Sequence, residues 1–250
     1  MSASVRRRAL AGIVRQRGSV TVSELAAEFG CSEMTIRRDL DALGRDGVVR
    51  RRHGSAVTAS LRADEKPYPV RAFEASDAKE RIGRAVAALI SDGETVALDA
   101  GTTTAEVGRA LRGRAVTVMP LGIRTLVDLA HDERVRLIAP GGDIRAGELV
   151  VTGDLAEVAF ERLRFDTFVL GACGIDARNG VTTHRPADAR VKRAAVASAA
   201  RTIVVADRSK LGVVTFGHVC PLSAAERLVT DAPPGDTANL EAPGFIIQRV

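Results

Sequence analysis

Membrane spans, secretion signals, disulfides and metal centres all lack their marks in this 250-residue chain. No apolar run approaches the ~18 residues of a membrane-crossing helix, so no membrane partner is expected. The N-terminus has no apolar core of the signal-peptide kind, because Arg6-Arg7-Arg8 leads into an amphipathic segment. The three cysteines, Cys31, Cys173 and Cys220, are odd in number, widely separated and without zinc-site spacing. They read as free thiols of a reducing cytoplasm, with no metal and no cofactor expected. Lysine is scarce too: Lys66, Lys79, Lys192 and Lys210 are the only lysines among 36 basic residues. No repeat period or low-complexity tract is present.

What charge there is sits unevenly. The net charge is +5, and residues 1–54 hold 11 arginines against 6 acidic residues, whereas the remaining 196 residues hold 25 basic and 25 acidic ones. A patch that served only solubility would not gather in this way. An electrostatic footprint on nucleic acid does.

The basic segment has a helical grammar. Leu10, Ile13 and Val14 share one helix face, and Thr21 to Phe29 reads as a short second helix capped near Thr21 or Ser23. Gly30-Cys31 turns the chain into Ser32, which can cap a third helix. In that helix Ile36, Leu40 and Leu43 fall at i, i+4, i+7, so Thr35, Arg38, Asp41 and Arg45 point away from the apolar face, with Arg37 at its flank. Gly47 ends the run, and Val48-Val49 and Ala56-Val57 can pair as two strands around His53-Gly54. Helix, helix, turn and basic helix, followed by a hairpin, is a winged helix-turn-helix. Ser32, Thr35, Arg37 and Arg38 are then the candidates for the major groove. Arg50, Arg51, Arg52 and His53 are the candidates for the phosphates of a double-stranded DNA operator. The same residues, from Arg6 through Leu10 and Val14 to Ser32 and Thr35-Ile36-Arg37-Arg38-Asp39-Leu40, resemble the DeoR family of bacterial regulators.

Beyond Val57, residues 58–76 read as an ordered linker, with Tyr68, Val70 and Phe73 offering burial. From Asp77 apolar strands alternate with helical patterns. Helices are expected near Asp77–Ile90, Thr104–Leu111, Arg124–Ala130 and Ala187–Ala200. Strands are expected at Thr95–Leu98, Ala115–Met119, Val135–Ala139, Thr167–Leu170 and Thr202–Ala206, with later ones at Leu228–Thr230 and Phe245–Ile247. The fold class is α/β: a Rossmann-like parallel sheet with helices on both faces over residues 77–232, then a tail with a last strand over 233–250.

In such sheets ligands lie beyond the carboxyl ends of the strands. Those ends carry Asp99, Gly101, Thr102, Thr103 and Thr104, then Gly141 and Gly142, Gly171 and Asp176, and Asp207 with Lys210. Lys192 lies on the helix before the strand that ends at Asp207, preceded by Asp188. Small residues, hydroxyls, acids and two lysines suit a small, polar, anionic ligand.

Residues 65–232 also resemble the DeoR-family sensor domain, which is related to ribose-5-phosphate isomerase folds. That resemblance implies a phosphorylated-sugar effector held by Asp99 and Thr102 to Thr104, with Lys192 and Lys210 as charge partners, in a homo-oligomer (dimer or tetramer). Two positions depart from the family. Pro120-Leu121-Gly122 stands where Thr-Asn-Ser is usual, and Asp188 where Glu is common. A sugar-phosphate isomerase-like enzyme is the alternative, with Asp99, Asp176 or Asp207 moving a proton. The isomerases' lysine followed by several glycines is absent, however, and a DNA reader on the same chain gives ligand binding a use without turnover. No catalytic residue is therefore expected. The expected function is a cytoplasmic transcriptional repressor of sugar-metabolism genes.

Overall fold

The computed structural model describes the backbone of residues 3–17, 19–45, 49–52, 55–58 and 66–250; the side chains of 3–4, 8, 11, 15–17, 19, 44–45, 49–52 and 55–58 fall outside the described set. Two compact units divide the chain, Met1–Phe73 and Glu74–Val250.

In the first unit α1 (Ala3–Arg17), α2 (Val22–Phe29) and α3 (Glu33–Arg45) surround a core that includes Leu10, Val14, Leu25, Ile36 and Leu40. The expected spacing of α3 holds, since Ile36, Leu40 and Leu43 are all buried. Thr21 is the cap of α2: its hydroxyl accepts from Glu24 N, and the Glu24 carboxylate accepts from Thr21 N. Gly30 closes α2 at φ 59°, a left-handed conformation that glycine adopts without strain, and its N–H donates to Ala26 and Ala27. The hairpin pairs β2 (Val49–Arg52) antiparallel with β3 (Ser55–Thr58), and a strand that the periodicity did not announce, β1 (Ser19–Thr21), pairs with β3 from the other side. Gly47 and His53-Gly54 lie outside the described residues.

The segment expected as a linker contains a short helix, α4 (Tyr68–Phe73). Phe73 was expected to be buried there, and is instead 80% exposed. A six-residue helix has too little covered face to bury it.

The second unit is built on a seven-stranded, wholly parallel sheet, in which β4 (Thr95–Leu98), β5 (Thr117–Pro120) and β6 (Arg136–Leu137) run to one side. Strands β9 (Phe165–Gly171), β12 (Ala199–Val205), β14 (Arg227–Thr230) and β15 (Ile246–Arg249) run to the other. The order β15-β14-β12-β9-β4-β5-β6 reverses direction between β4 and β9. Among the helices are α5 (Ser76–Ala87), α6 (Thr102–Ala110), α7 (Ile123–Leu129), α8 (Asp154–Arg162) and α9 (Pro186–Ser198). Two apolar clusters, one containing Ile82, Val96 and Val169 and the other Met119, Phe160 and Phe168, fill this unit.

The hairpin of β7 (Asp143–Arg145) and β8 (Val150–Thr152) was not expected, nor was α8. The antiparallel sheet of β10 (Gly174–Asp176), β11 (Gly180–Thr183) and β13 (Gly217–Cys220) was also missed. Strands of three or four residues carry too little alternation to be read.

Candidate functional site

In the first unit α3 sorts its charges by face. Asp39 is turned inward, where Arg6 on α1 meets it at 2.6 Å and Arg7 approaches to 3.8 Å. Ser32 caps α3, its Oγ accepting from Thr35 N and lying 2.9 Å from the Thr35 hydroxyl. Arg37 is exposed and bridges one turn back to Glu33 at 3.0 Å. Arg38 is exposed and makes no ion pair among the described residues. Residues 50–52 are paired in the hairpin, with Arg50 opposite Val57, Arg51 opposite Ala56 and Arg52 opposite Ser55. The side chains of Arg45, Arg50, Arg51 and Arg52 fall outside the described set, as does His53 altogether.

In the second unit the reversal between β4 and β9 is where an open α/β sheet parts its strand ends into a crevice. Asp99 follows β4 directly there, and Gly171 ends β9. The Asp99 carboxylate accepts from Gly171 N at 3.0 Å and from Ala100 N at 2.8 Å. Lys192 of α9 closes the group, with Nζ 2.7 Å from Asp99 Oδ2 and 3.0 Å from the Gly171 carbonyl. The Lys192 and Asp99 side chains are 7% and 1% exposed, respectively. Gly171 leaves the room this needs: a Cβ there would stand 3.2 Å from Asp99 Oδ2.

Burial pulls the Lys192 ammonium down, but the Asp99 carboxylate, together with Cys173 and Asp188, more than offsets it and holds the lysine above its ordinary range. Burial pushes the Asp99 carboxyl up, against the pull of Lys192 and the two backbone donors. Nearby, burial pushes the Cys220 thiol up to about 11, against the pull of Lys192.

Other residues singled out from the sequence follow the ends of β4 and β12. Gly101 caps α6, whose first turn carries Thr102, Thr103 and Thr104 and whose unsatisfied N–H groups open beside Asp99. Thr104 is buried and its hydroxyl donates to the Gly101 carbonyl, while Thr103 is half-buried. Asp207 follows β12, and its Oδ1 accepts from Ser209 N and Oγ, which shapes a turn carrying the half-buried Lys210.

Three residues turn out to be engaged otherwise. Asp176 spends one carboxylate oxygen on Arg178 N, Asn179 N and Asn179 Nδ2 in the exposed β10–β11 turn. Those donors, the Asn179 backbone N–H foremost, hold its carboxyl below the usual range. Gly142, at φ 133°, packs so closely on β8 that a Cβ would meet the Thr152 carbonyl at 2.4 Å, and Gly141 faces Leu155 of α8. Both glycines serve the base of the β7–β8 hairpin.

Two residues outside that set belong to the cluster. Asp188 sits one helical turn before Lys192 on α9 and adds to the field that favours its charge. Arg145 on β7 reaches Asp188 Oδ2 at 2.8 Å, so an alternating chain Arg145–Asp188–Lys192–Asp99 crosses the carboxyl edge of the sheet. The i, i+4 spacing of Asp188 and Lys192 was visible in the sequence. Arg145 was not, because nothing local marks the hairpin that carries it. The hairpin itself is tied to the edge by Val151 N donating to Leu121 O and Ile123 N donating to Leu149 O. Leu121, at the position where an amide was missed, is buried in the core and brings no polar group to the rim.

A basic helix-turn-helix unit and a buried charge pair at the reversal of a parallel sheet, on one chain, fit a DNA-binding regulator with a ligand-sensing domain. Residues 6–61 match the DeoR-like helix-turn-helix domain and residues 74–232 the DeoR C-terminal sensor domain, and the chain belongs to the DeoR family. It is 30% identical to the glycerol-3-phosphate regulon repressor of Escherichia coli (strain K12), over 94% of this chain and 93% of that one. It is 32% identical to the transcriptional repressor AccR of Agrobacterium fabrum, over 88% and 86%. Among solved structures, ribose 5-phosphate isomerase A from Methanocaldococcus jannaschii aligns with a TM-score of 0.41 and 16% identity over 55% of each chain. The family and its named relatives are transcriptional regulators, and this chain is a regulator rather than an enzyme. Among the described residues no helix is long and apolar enough to cross a membrane.

Proposed function

We propose that the chain is a cytoplasmic, homo-oligomeric repressor of sugar-metabolism genes whose grip on its operator is set by a phosphorylated sugar. The observation that carries the sensor half is the buried Asp99–Lys192 pair at the reversal of the sheet, beside the open N-terminus of α6. A helix N-terminus and a protonated lysine offer an anion two favourable neighbours, and Asp99 offers sugar hydroxyls an acceptor. The effector residues are Asp99, Gly101, Thr102 to Thr104, Gly171, Lys192, Asp207 and Lys210, with Arg145 and Asp188 at the rim. A relative named as the glycerol-3-phosphate regulon repressor supports a small phosphorylated, sugar-derived ligand.

On the DNA side, Thr35, Arg37 and Arg38 meet base edges, and Arg50, Arg51, Arg52 and His53 meet phosphates. Two or four copies assemble, because one module reads too few base pairs for useful selectivity.

Thermal unfolding of the full chain with glycerol-3-phosphate and ribose-5-phosphate, each beside its unphosphorylated parent and inorganic phosphate, tests the sensor half. A ligand at about a hundred times its dissociation constant adds ~2.7 kcal/mol to the folded state. If no phosphorylated sugar moves the transition, the sensor reading fails and the DNA reading stands.

A further inference from the structure

The outer face of α3 carries one residue that neither the charge pattern nor the motif explains. Met34 lies four residues before Arg38 and seven before Asp41, on the face opposite Ile36, Leu40 and Leu43, and is 60% exposed. Its neighbours in the first turn are already engaged. Glu33 is held by Arg37, and the Thr35 hydroxyl lies against Ser32. A large thioether is thus left in water at the end of the helix that, in helix-turn-helix proteins, comes nearest the base edges.

We propose that Met34 is a specificity-determining residue of the DNA reader, and that it packs on the 5-methyl group of a thymine next to the base pair read by Arg38. The major groove displays hydrogen-bonding groups from every base but only one apolar group, the thymine methyl. An unbranched thioether conforms to such a surface and makes no hydrogen bond to compete with its arginine neighbour. The inference rests on α3 being the groove helix, and the two fail separately.

Duplexes selected from a random pool by the full-length protein, and by Met34→Ala and Arg38→Ala, provide the test. Each thymine of the selected site is then replaced in turn by deoxyuridine, which keeps every hydrogen-bonding group and lacks only the methyl. The wild type loses about fourfold in affinity at one thymine, equivalent to about 0.8 kcal/mol for one buried methyl. Met34→Ala loses nothing further at that position and no longer selects thymine there. Met34→Gln, whose amide complements adenine, moves the preference at the same position toward adenine. Should Arg38→Ala alter selection while Met34→Ala leaves it unchanged, or weaken all duplexes alike, the role of Met34 is overturned. Should neither variant alter selection, α3 is not the groove helix and both readings fall.

Discussion

Each unit of this chain buries an aspartate under a basic side chain. The DNA-binding unit pairs Asp39 with Arg6, and the sensor unit pairs Asp99 with Lys192. By burial and ion pairing the two are alike, but their settings in the fold differ. Asp39 sits on the inner face of α3, where Arg6 and Arg7 of α1 tie the two helices together. Asp99 sits past the end of a strand, where the sheet parts, a helix begins and two backbone N–H groups converge. A buried charge pair is therefore no marker of function on its own. The open strand ends and unsatisfied helix donors around it make the difference.

The largest effect that would sharpen this contrast comes from Lys192→Met, which leaves Asp99 buried without its cation. A loss of about 3–5 kcal/mol in denaturant unfolding is expected, much of it recovered when Asp99→Asn is added. A loss below about 1 kcal/mol, comparable to an exposed pair, would mean that the site is open to water. Because Lys192 is held above its ordinary range in the folded state, its contribution is complete at neutral pH. It fades only as pH rises past the ordinary lysine value.

Asp39→Asn ranks next. It should destabilise the DNA-binding unit by about 1–3 kcal/mol, since Arg6 keeps a polar neighbour but loses its counter-charge. Hydrogen exchange should quicken in α1 and α3, while thermal shifts with sugar phosphates stay as in the wild type. Altered ligand shifts would contradict the scaffold role given to Asp39.

On the groove face, Arg38→Ala should cost about 1–3 kcal/mol of discrimination at one position. Arg51→Ala should weaken all DNA alike and lower the salt slope by roughly one. Equal loss of specificity from both would end that division between helix and hairpin.

The smallest effect lies at the opposite edge of the sheet. Asp166 accepts from Thr95 N and Oγ1, and those bonds, the backbone one first, hold its carboxyl below the ordinary value of 3.8. Its contribution is therefore present above that pH and disappears as acid takes the protein below it. Asp166→Asn should flatten the acid limb of the stability profile by less than about 1 kcal/mol, because the group is exposed and screened.

The first unit was largely legible because its signals are local. The spacing of Ile36, Leu40 and Leu43, the cap at Ser32 and the glycine at residue 30 each act within a few residues. Met34 escaped notice there because an apolar residue on an outer face reads as noise until its exposure is known. In the second unit the strand ends were legible, and they include Asp99 and Gly171, with Lys192 read on the helix between strands. Asp176, Gly141 and Gly142 were drawn in with them because small and acidic residues follow a strand whether it opens on a crevice or folds back as a hairpin. Arg145 could not be found, since it sits on a hairpin too short to leave a periodic trace and its partner Asp188 lies far along the chain on α9.

The sequence by itself determined the α/β character of the larger unit, the helix-turn-helix order of the smaller one, and the confinement of the excess positive charge to the latter. Periodicity, capping and charge count are properties of neighbours along the chain. Only the tertiary structure decided which strand ends face one another, and so which aspartate meets which lysine. Strand order in a parallel sheet is set by crossovers and packing between distant segments, and no local pattern encodes it.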